Sequence, residues 1–498
     1  MRINELLLAK KLVSLDDVEK AIERQRSDGG PLIDSLLTLE LISIRDLDAA
    51  LQEAPAAPGS SSETGLSGNF LINLLTKTIF AYRTETVGDL QQILRLPTPI
   101  VAELVKECVD EKLLEDYVSA RSGSGGETRF RLTHLGKAFA EEAMDQNRYV
   151  GPVPVPLSAY QSQILKQAIT KEFVTPEKVQ TAFSDLVISE AFLRRLGPAL
   201  NSGKSMLLYG PPGNGKSTIA EKIGEIYESV IFVPYAVAVG AEIITIYDAS
   251  IHHKIDTQRT EAGVSDLRRE EIDERWVPCH RPLVITGGEL TLDMLDLSFN
   301  EIAKFYEAPL HMKAQGGVFI IDDFGRQLVR PEELLNRWII PLERRVDFLK
   351  LHTGKQFEIP FDQLTIFSTN LAPDDLMDPA FLRRIPYKIE VEGPSEEEFT
   401  AIFEAVCAAK SVPCSADDMA AVLKSLKAVD GFKELACYQG KFIVDQIIDA
   451  CRYESLKPSF EPSIVENAVA NIYAKAAKDM AEAEKITAAT ICLLPTAQ

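Results

Sequence analysis

The 498-residue chain carries 74 Asp and Glu against 53 Lys and Arg, a formal net charge of −21, which repels a phosphate backbone and disfavours nucleic acid as a general partner. No run of about 18 apolar residues occurs, so no membrane span is expected, and the charged start Met1–Lys11 does not read as a secretory signal. The 7 Cys include no C-x-x-C pair, and His252-His253 and Cys279-His280 are isolated pairs, so the thiols read as reduced cysteines of a cytoplasmic protein without a zinc site.

The length suits roughly three domains. Residues 1–52 contain a repeat: Arg2-Ile3-Asn4-Glu5-Leu6-Leu7-Leu8 aligns with Pro31-Leu32-Ile33-Asp34-Ser35-Leu36-Leu37, and Val18, Ala21 and Ile22 align with Leu47, Ala50 and Leu51. Apolar spacings of three and four predict short amphipathic helices. Ser14 with Asp17, and Ser43 with Asp46, stand where a capping box belongs. The segment resembles the N-terminal domain of type II secretion and type IV pilus ATPases, some of which bind cyclic di-GMP through Arg-Leu-Gly at the start of each repeat. Here Arg2-Ile3-Asn4 and Pro31-Leu32-Ile33 stand there instead. The second Arg and both Gly are missing, so cyclic di-GMP is a candidate ligand that the residues speak against, and a helical docking module is the plainer expectation.

Residues 53–69, rich in Ala, Pro, Gly and Ser, predict a flexible linker. Residues 70–148 read as a winged helix. Helices are expected near Phe70–Tyr82, after Thr86 and after Pro97-Thr98, and a wing turn Arg121–Gly126 between strand-like Leu114–Ala120 and Thr128–Leu132. The third helix carries Glu103, Glu107, Asp110 and Glu111 against Lys106 and Lys112, which favours a protein-interaction role over DNA recognition. Pro152, Pro154 and Pro156 predict a stiff extended connector.

The nucleotide domain is expected over 149–395. Gly210-Pro211-Pro212-Gly213-Asn214-Gly215-Lys216-Ser217-Thr218 follows the apolar Met206-Leu207-Leu208-Tyr209 and precedes helix-patterned Ile219-Ala220-Glu221-Lys222-Ile223. This is the phosphate loop in its strand–loop–helix context. Its backbone N–H groups and the helix dipole suit phosphate oxygens, Lys216 suits the β- and γ-phosphates of ATP, and Ser217 suits Mg²⁺. Val318-Phe319-Ile320-Ile321 predicts a buried parallel strand ending in Asp322-Asp323. Asp322 suits Mg²⁺ as a Walker B carboxylate, and Asp323 stands where the base that activates water usually is Glu. One methylene less can displace that base by about an ångström and slow turnover on the order of a hundredfold.

Leu364–Thr369 predicts another strand, with Asn370 at its tip, followed by Asp378-Pro379-Ala380-Phe381-Leu382-Arg383-Arg384. These four motifs, in this order, resemble AAA+ ATPases. The resemblance implies a P-loop α/β core, a parallel sheet with flanking helices, and a C-terminal helical lid over 396–485 with a tail 486–498. It implies that Asn370 is the first sensor and that Arg383 or Arg384 is an arginine finger for a neighbouring subunit in a homo-oligomer such as a hexameric ring. Arg344-Arg345 is a competing pair, and Lys441 of Gln439-Gly440-Lys441 is the candidate second sensor. Threading members carry an aromatic pore loop, whereas Val237-Ala238-Val239-Gly240 lacks the aromatic residue. The function this implies is ATP-driven remodelling or switching of a protein partner held by the N-terminal modules. An occupancy-gated regulatory protein with slow turnover and a DNA-associated AAA+ protein are the alternatives.

Overall fold

The computed structural model describes residues 3–29, 32–117, 129–255, 272–376, 379–429 and 432–472. Arg2, Pro31, the wing turn 121–126, Asp378, residues 473–485 of the lid and the tail 486–498 lie outside them.

Five strands form the central parallel sheet: β1 (Met206–Tyr209), β2 (Leu283–Thr286), β3 (Val318–Ile321), β4 (Leu364–Thr369) and β5 (Tyr387–Glu390). Their spatial order is β5-β1-β4-β3-β2, and every neighbouring pair is parallel. All residues of β3 and β4 are buried, as expected for strands covered on both faces, which need apolar side chains on each side. The helix Lys216–Ile226 covers one face with Ile219, Ala220 and Ile223. On the other face Phe319, Phe367 and Phe324 pack with the fully buried Trp338. The register sets the site: Thr369 lies opposite Tyr209, and Ile321 lies opposite Phe367. The chain leaves β1, β3 and β4 on the same edge, and the polar residues that follow them are neighbours there.

Four helices, Ile3–Ala9, Leu15–Asp28, Leu32–Thr38 and Ile44–Glu53, form the N-terminal repeat. Ser14 and Asp17 close a capping box. Ser43 Oγ accepts from Asp46 N at 3.1 Å and donates to the Asp46 carboxylate at 2.7 Å. Leu7, Val18, Ala21, Leu36, Leu47 and Ala50 are buried, so both copies of the repeat turn the same positions inward. They share one core with Val155, Ile231, Phe232, Val237 and Ile244, which lie mostly in a second layer inserted between the helix Lys216–Ile226 and β2. That layer contains the antiparallel pair Val230–Pro234 and Trp276–His280. It also contains a five-stranded sheet running Ser298–Asn300, Phe305–Glu307, Glu242–Thr245, Ala236–Val239 and Val155–Pro156.

Residues 53–69 depart from the flexible linker that their composition suggests. Asp273 N donates to Pro55 O at 2.9 Å, Arg275 Nη1 donates to Thr64 O at 3.1 Å, and Thr64 is buried. Arg275 is itself paired with Asp273 at 2.8 Å, both side chains being nearly inaccessible. These partners lie some 200 residues away in the chain, beyond the reach of local composition.

Residues 68–146 form three helices, Gly68–Tyr82, Val87–Leu94 and Thr98–Asp110, an antiparallel pair of strands Leu114–Tyr117 and Arg129–Leu132, and a fourth helix His134–Gln146. Leu75, Leu90, Val101, Leu104 and Phe130 fill their core. Four further helices, Glu396–Ala409, Ala416–Ala428, Cys437–Tyr453 and Pro462–Ala470, pack around Phe399, Phe403, Val422, Ile443, Ile447 and Val465. Among the described residues no helix is long and apolar enough to cross a membrane.

Candidate nucleotide site

The turn from β1 into the helix Lys216–Ile226 needs glycine for two separate reasons. Gly210, at φ 141°, passes so close to the residue that follows β5 that a Cβ would lie 2.4 Å from Val391 O. Gly213, at φ 83°, lies in the left-handed region and directly under the ring of Tyr438. The helix then starts at Lys216, so its unpaired N–H groups face the loop.

Lys216 is 6% exposed. Its ammonium donates to Gly210 O at 3.0 Å and Pro211 O at 2.8 Å. Burial lowers its pKa, and the nearby Asp322 and Asp323 oppose that shift. Ser217 Oγ donates to Asp322 Oδ2 at 2.6 Å across 105 positions of sequence. Asp323 N donates to Asp322 Oδ1 at 3.0 Å, and Gln327 Nε2 donates to Asp322 O at 2.9 Å. Asp323 itself stands at φ 48°, a left-handed conformation uncommon outside glycine. Asn370 Nδ2 donates to its Oδ1 at 3.0 Å. The tips of β3 and β4 are further joined by Phe324 N to Ser368 O at 2.7 Å and Thr369 Oγ1 to Phe324 O at 2.7 Å. Lys216, Ser217, Asp322, Asp323 and Asn370 therefore form one continuous polar set.

These residues fit a magnesium nucleotide on their own chemistry. The hydroxyl of Ser217 and the carboxylate of Asp322 are hard oxygen donors suited to Mg²⁺. A buried cation, a helix N-terminus and a glycine-rich turn between strand and helix suit a phosphate.

The two adjacent arginines differ. Arg384 Nε donates to Glu343 Oε1 at 2.6 Å, and its guanidinium lies 5.3 Å from the Phe381 ring centroid. Arg383 is exposed. Arg345 is held by Asp362 at 2.9 Å and by Gly203 O at 2.7 Å, a structural role, while Arg344 is exposed. Lys441 is exposed on the lid helix Cys437–Tyr453. The lid residues that touch the phosphate loop are its neighbours in that helix: Tyr438 N donates to Gly213 O at 2.9 Å, and Cys437 N donates to Asn214 Oδ1 at 3.3 Å. Sequence reading missed both, although they adjoin the Gln439-Gly440-Lys441 segment it singled out. His252 uses both ring nitrogens on backbone, at Asp248 N and Lys313 O. Among the described residues no group of three or more His, Cys, Asp or Glu side chains is placed to hold a metal.

Residues 395–471, the four lid helices, match a family described as a domain of unknown function, DUF8689. No curated protein matches the chain. Among solved structures, the RuvB Holliday junction branch migration motor of Thermotoga maritima is 15% identical, with a TM-score of 0.30 over 60% of this chain and 70% of that one. NtrX from Brucella abortus is 13% identical, with a TM-score of 0.37 over 63% and 60%. Domain III of the replication initiation protein DnaA from Thermotoga maritima is 10% identical, with a TM-score of 0.32 over 59% and 96%.

Proposed function

We propose that this chain is an AAA+ ATPase of the cytoplasm that assembles as a homo-oligomer and uses Mg²⁺-ATP to remodel or switch a protein partner. The observation that carries the reading is the 2.6 Å contact between Ser217 and Asp322. It brings the phosphate loop and the aspartate pair to one point, with Lys216 beside it.

Bound there, Mg²⁺-ATP supplies the phosphoanhydride bond whose cleavage drives the cycle. Lys216 neutralises charge on the β- and γ-phosphates. Ser217 and Asp322 would hold the metal, and Asp323 would take the proton of the attacking water, with Asn370 fixing its carboxylate. Arg383 is the finger of the neighbouring site, because Arg384 is engaged by Glu343 within its own subunit. The N-terminal repeat and the winged-helix-like domain hold the protein partner.

A second reading, occupancy-gated switching with slow turnover, is favoured by one detail: the carboxylate in the base position is the shorter Asp323. Phosphate release measured against protein concentration tests the shared site. Specific activity should rise as subunits assemble. A constant specific activity, together with a monomeric mass in ATP, would contradict it.

A further inference from the structure

The lid carries a pair of thiols that the nucleotide chemistry leaves unused. Cys407 lies in the last turn of the helix Glu396–Ala409, and Cys414 stands just before Ser415, the N-cap of the helix Ala416–Ala428. The corner between them is closed on both sides. Val412 N donates to Cys407 O at 2.9 Å and Lys410 N to Val406 O at 3.0 Å, with Ser411 left-handed at φ 56°. Ser415 and Asp418 form a capping box. This path folds the two side chains onto each other. Cys407 is 2% exposed in the lid core, and Cys414 packs against that core from a half-buried position. Cys414 Sγ donates to Ser415 O at 3.6 Å and accepts from the Cys407 thiol.

We propose that Cys407 and Cys414 form a reversible disulfide within the chain, a redox modification site that staples the corner between the first two lid helices. The oxidant is a peroxide. Cys414 reacts first, because its sulfur is the one that solvent reaches and the one that accepts the hydrogen bond. Its thiolate attacks one oxygen of hydrogen peroxide, the O–O bond breaks, hydroxide leaves and a sulfenic acid forms. The Cys407 sulfur then attacks the Cys414 sulfur as its thiol proton departs, the S–O bond breaks and water leaves. Two thiols are oxidised to one disulfide, and one peroxide is reduced to two waters. A small thiol reverses the step by exchange. Burial pushes Cys407 up to about 12 and also raises Cys414, against the hydrogen bond from Cys407, and the Glu404 and Asp418 carboxylates add to both shifts. Scarce thiolate makes the reaction slow, so the pair responds to sustained oxidant rather than to its resting level.

The test uses the reduced full-length protein, treated with hydrogen peroxide, quenched with an alkylating agent and digested with trypsin without reductant. Lys410 is exposed and lies between the two cysteines. The peptides on either side of that cleavage site should therefore stay joined, two hydrogens lighter than their sum, and should separate on reduction. A non-reducing gel should show single chains. Cys407→Ser should stop at the Cys414 sulfenic acid, which a 1,3-dicarbonyl reagent traps, and Cys414→Ser should leave Cys407 unmodified. The peptide map of the unaltered protein decides the matter even where a variant folds poorly. Peptides that part without reductant, Cys414 oxidised while Cys407 still takes up the alkylating agent, or a disulfide between chains would each overturn the proposal. The nucleotide reading stands or falls separately, because no step here uses the phosphate loop.

Discussion

The polar edge of the central sheet and the N-terminal body are built on opposite plans. At the edge, a few hydrophilic groups follow the ends of buried, mostly apolar strands, and the strands carry the stability. In the body, residues 3–54 and the inserted layer share one apolar core, and the connecting segment is held by the buried Asp273–Arg275 pair and the carbonyl of Thr64. The contrast implies that chemistry and folding can be changed separately: substitutions at the edge should alter turnover without unfolding the chain, and substitutions in the body should do the reverse.

The largest expected effect lies at the edge. Asp323→Asn should lower ATP turnover about 10²- to 10⁴-fold, the usual weight of a general base, while ATP stays bound. Asp323→Glu should turn over as fast as the unaltered protein or faster. Rapid-quench and equilibrium binding measurements check both, and an Asn variant with full turnover would place the base elsewhere.

In the body, Arg275→Ala removes one partner of a buried pair and leaves Asp273 as an uncompensated charge. Such a change costs about 3–5 kcal/mol, read from denaturant unfolding, with faster proteolysis within 53–69 and no change in ATP affinity. Equal stability in the variant would show that the pair does not hold that segment.

Lys216→Ala should raise the dissociation constant for ATP about 100-fold, the size of a lost charge-assisted contact. The fold should persist, because Lys216 stands where the loop meets the helix and its ammonium bonds to carbonyls of that same loop, Gly210 O and Pro211 O. Loss of fold in Lys216→Ala would erase the distinction between the two regions.

The same contrast separates the features that the amino-acid sequence displays from those it hides. A phosphate loop depends on backbone freedom and a following helix, both local, and Gly210–Thr218 announces it. The caps at Ser14 and Ser43 are local as well. Buried strands such as Val318–Ile321 are visible as apolar runs. The ordered path of 53–69 was hidden, because Asp273 and Arg275 supply its partners from far along the chain. Arg383 and Arg384 are equivalent as letters, and only Glu343 and Phe381 distinguish them. Tyr438 was hidden because its contact with Gly213 is made by a backbone N–H and a ring face, which no motif specifies.

A site completed between subunits can be rebuilt by mixing two inactive variants. Arg383→Ala keeps its phosphate loop and Lys216→Ala keeps its finger, so a mixed assembly contains some sites with both. ATPase activity measured across mixing ratios, where subunits exchange, should pass through a maximum well above either variant alone. Activity that stays at the sum of the two variants at every ratio, while exchange is demonstrated, would contradict the shared site.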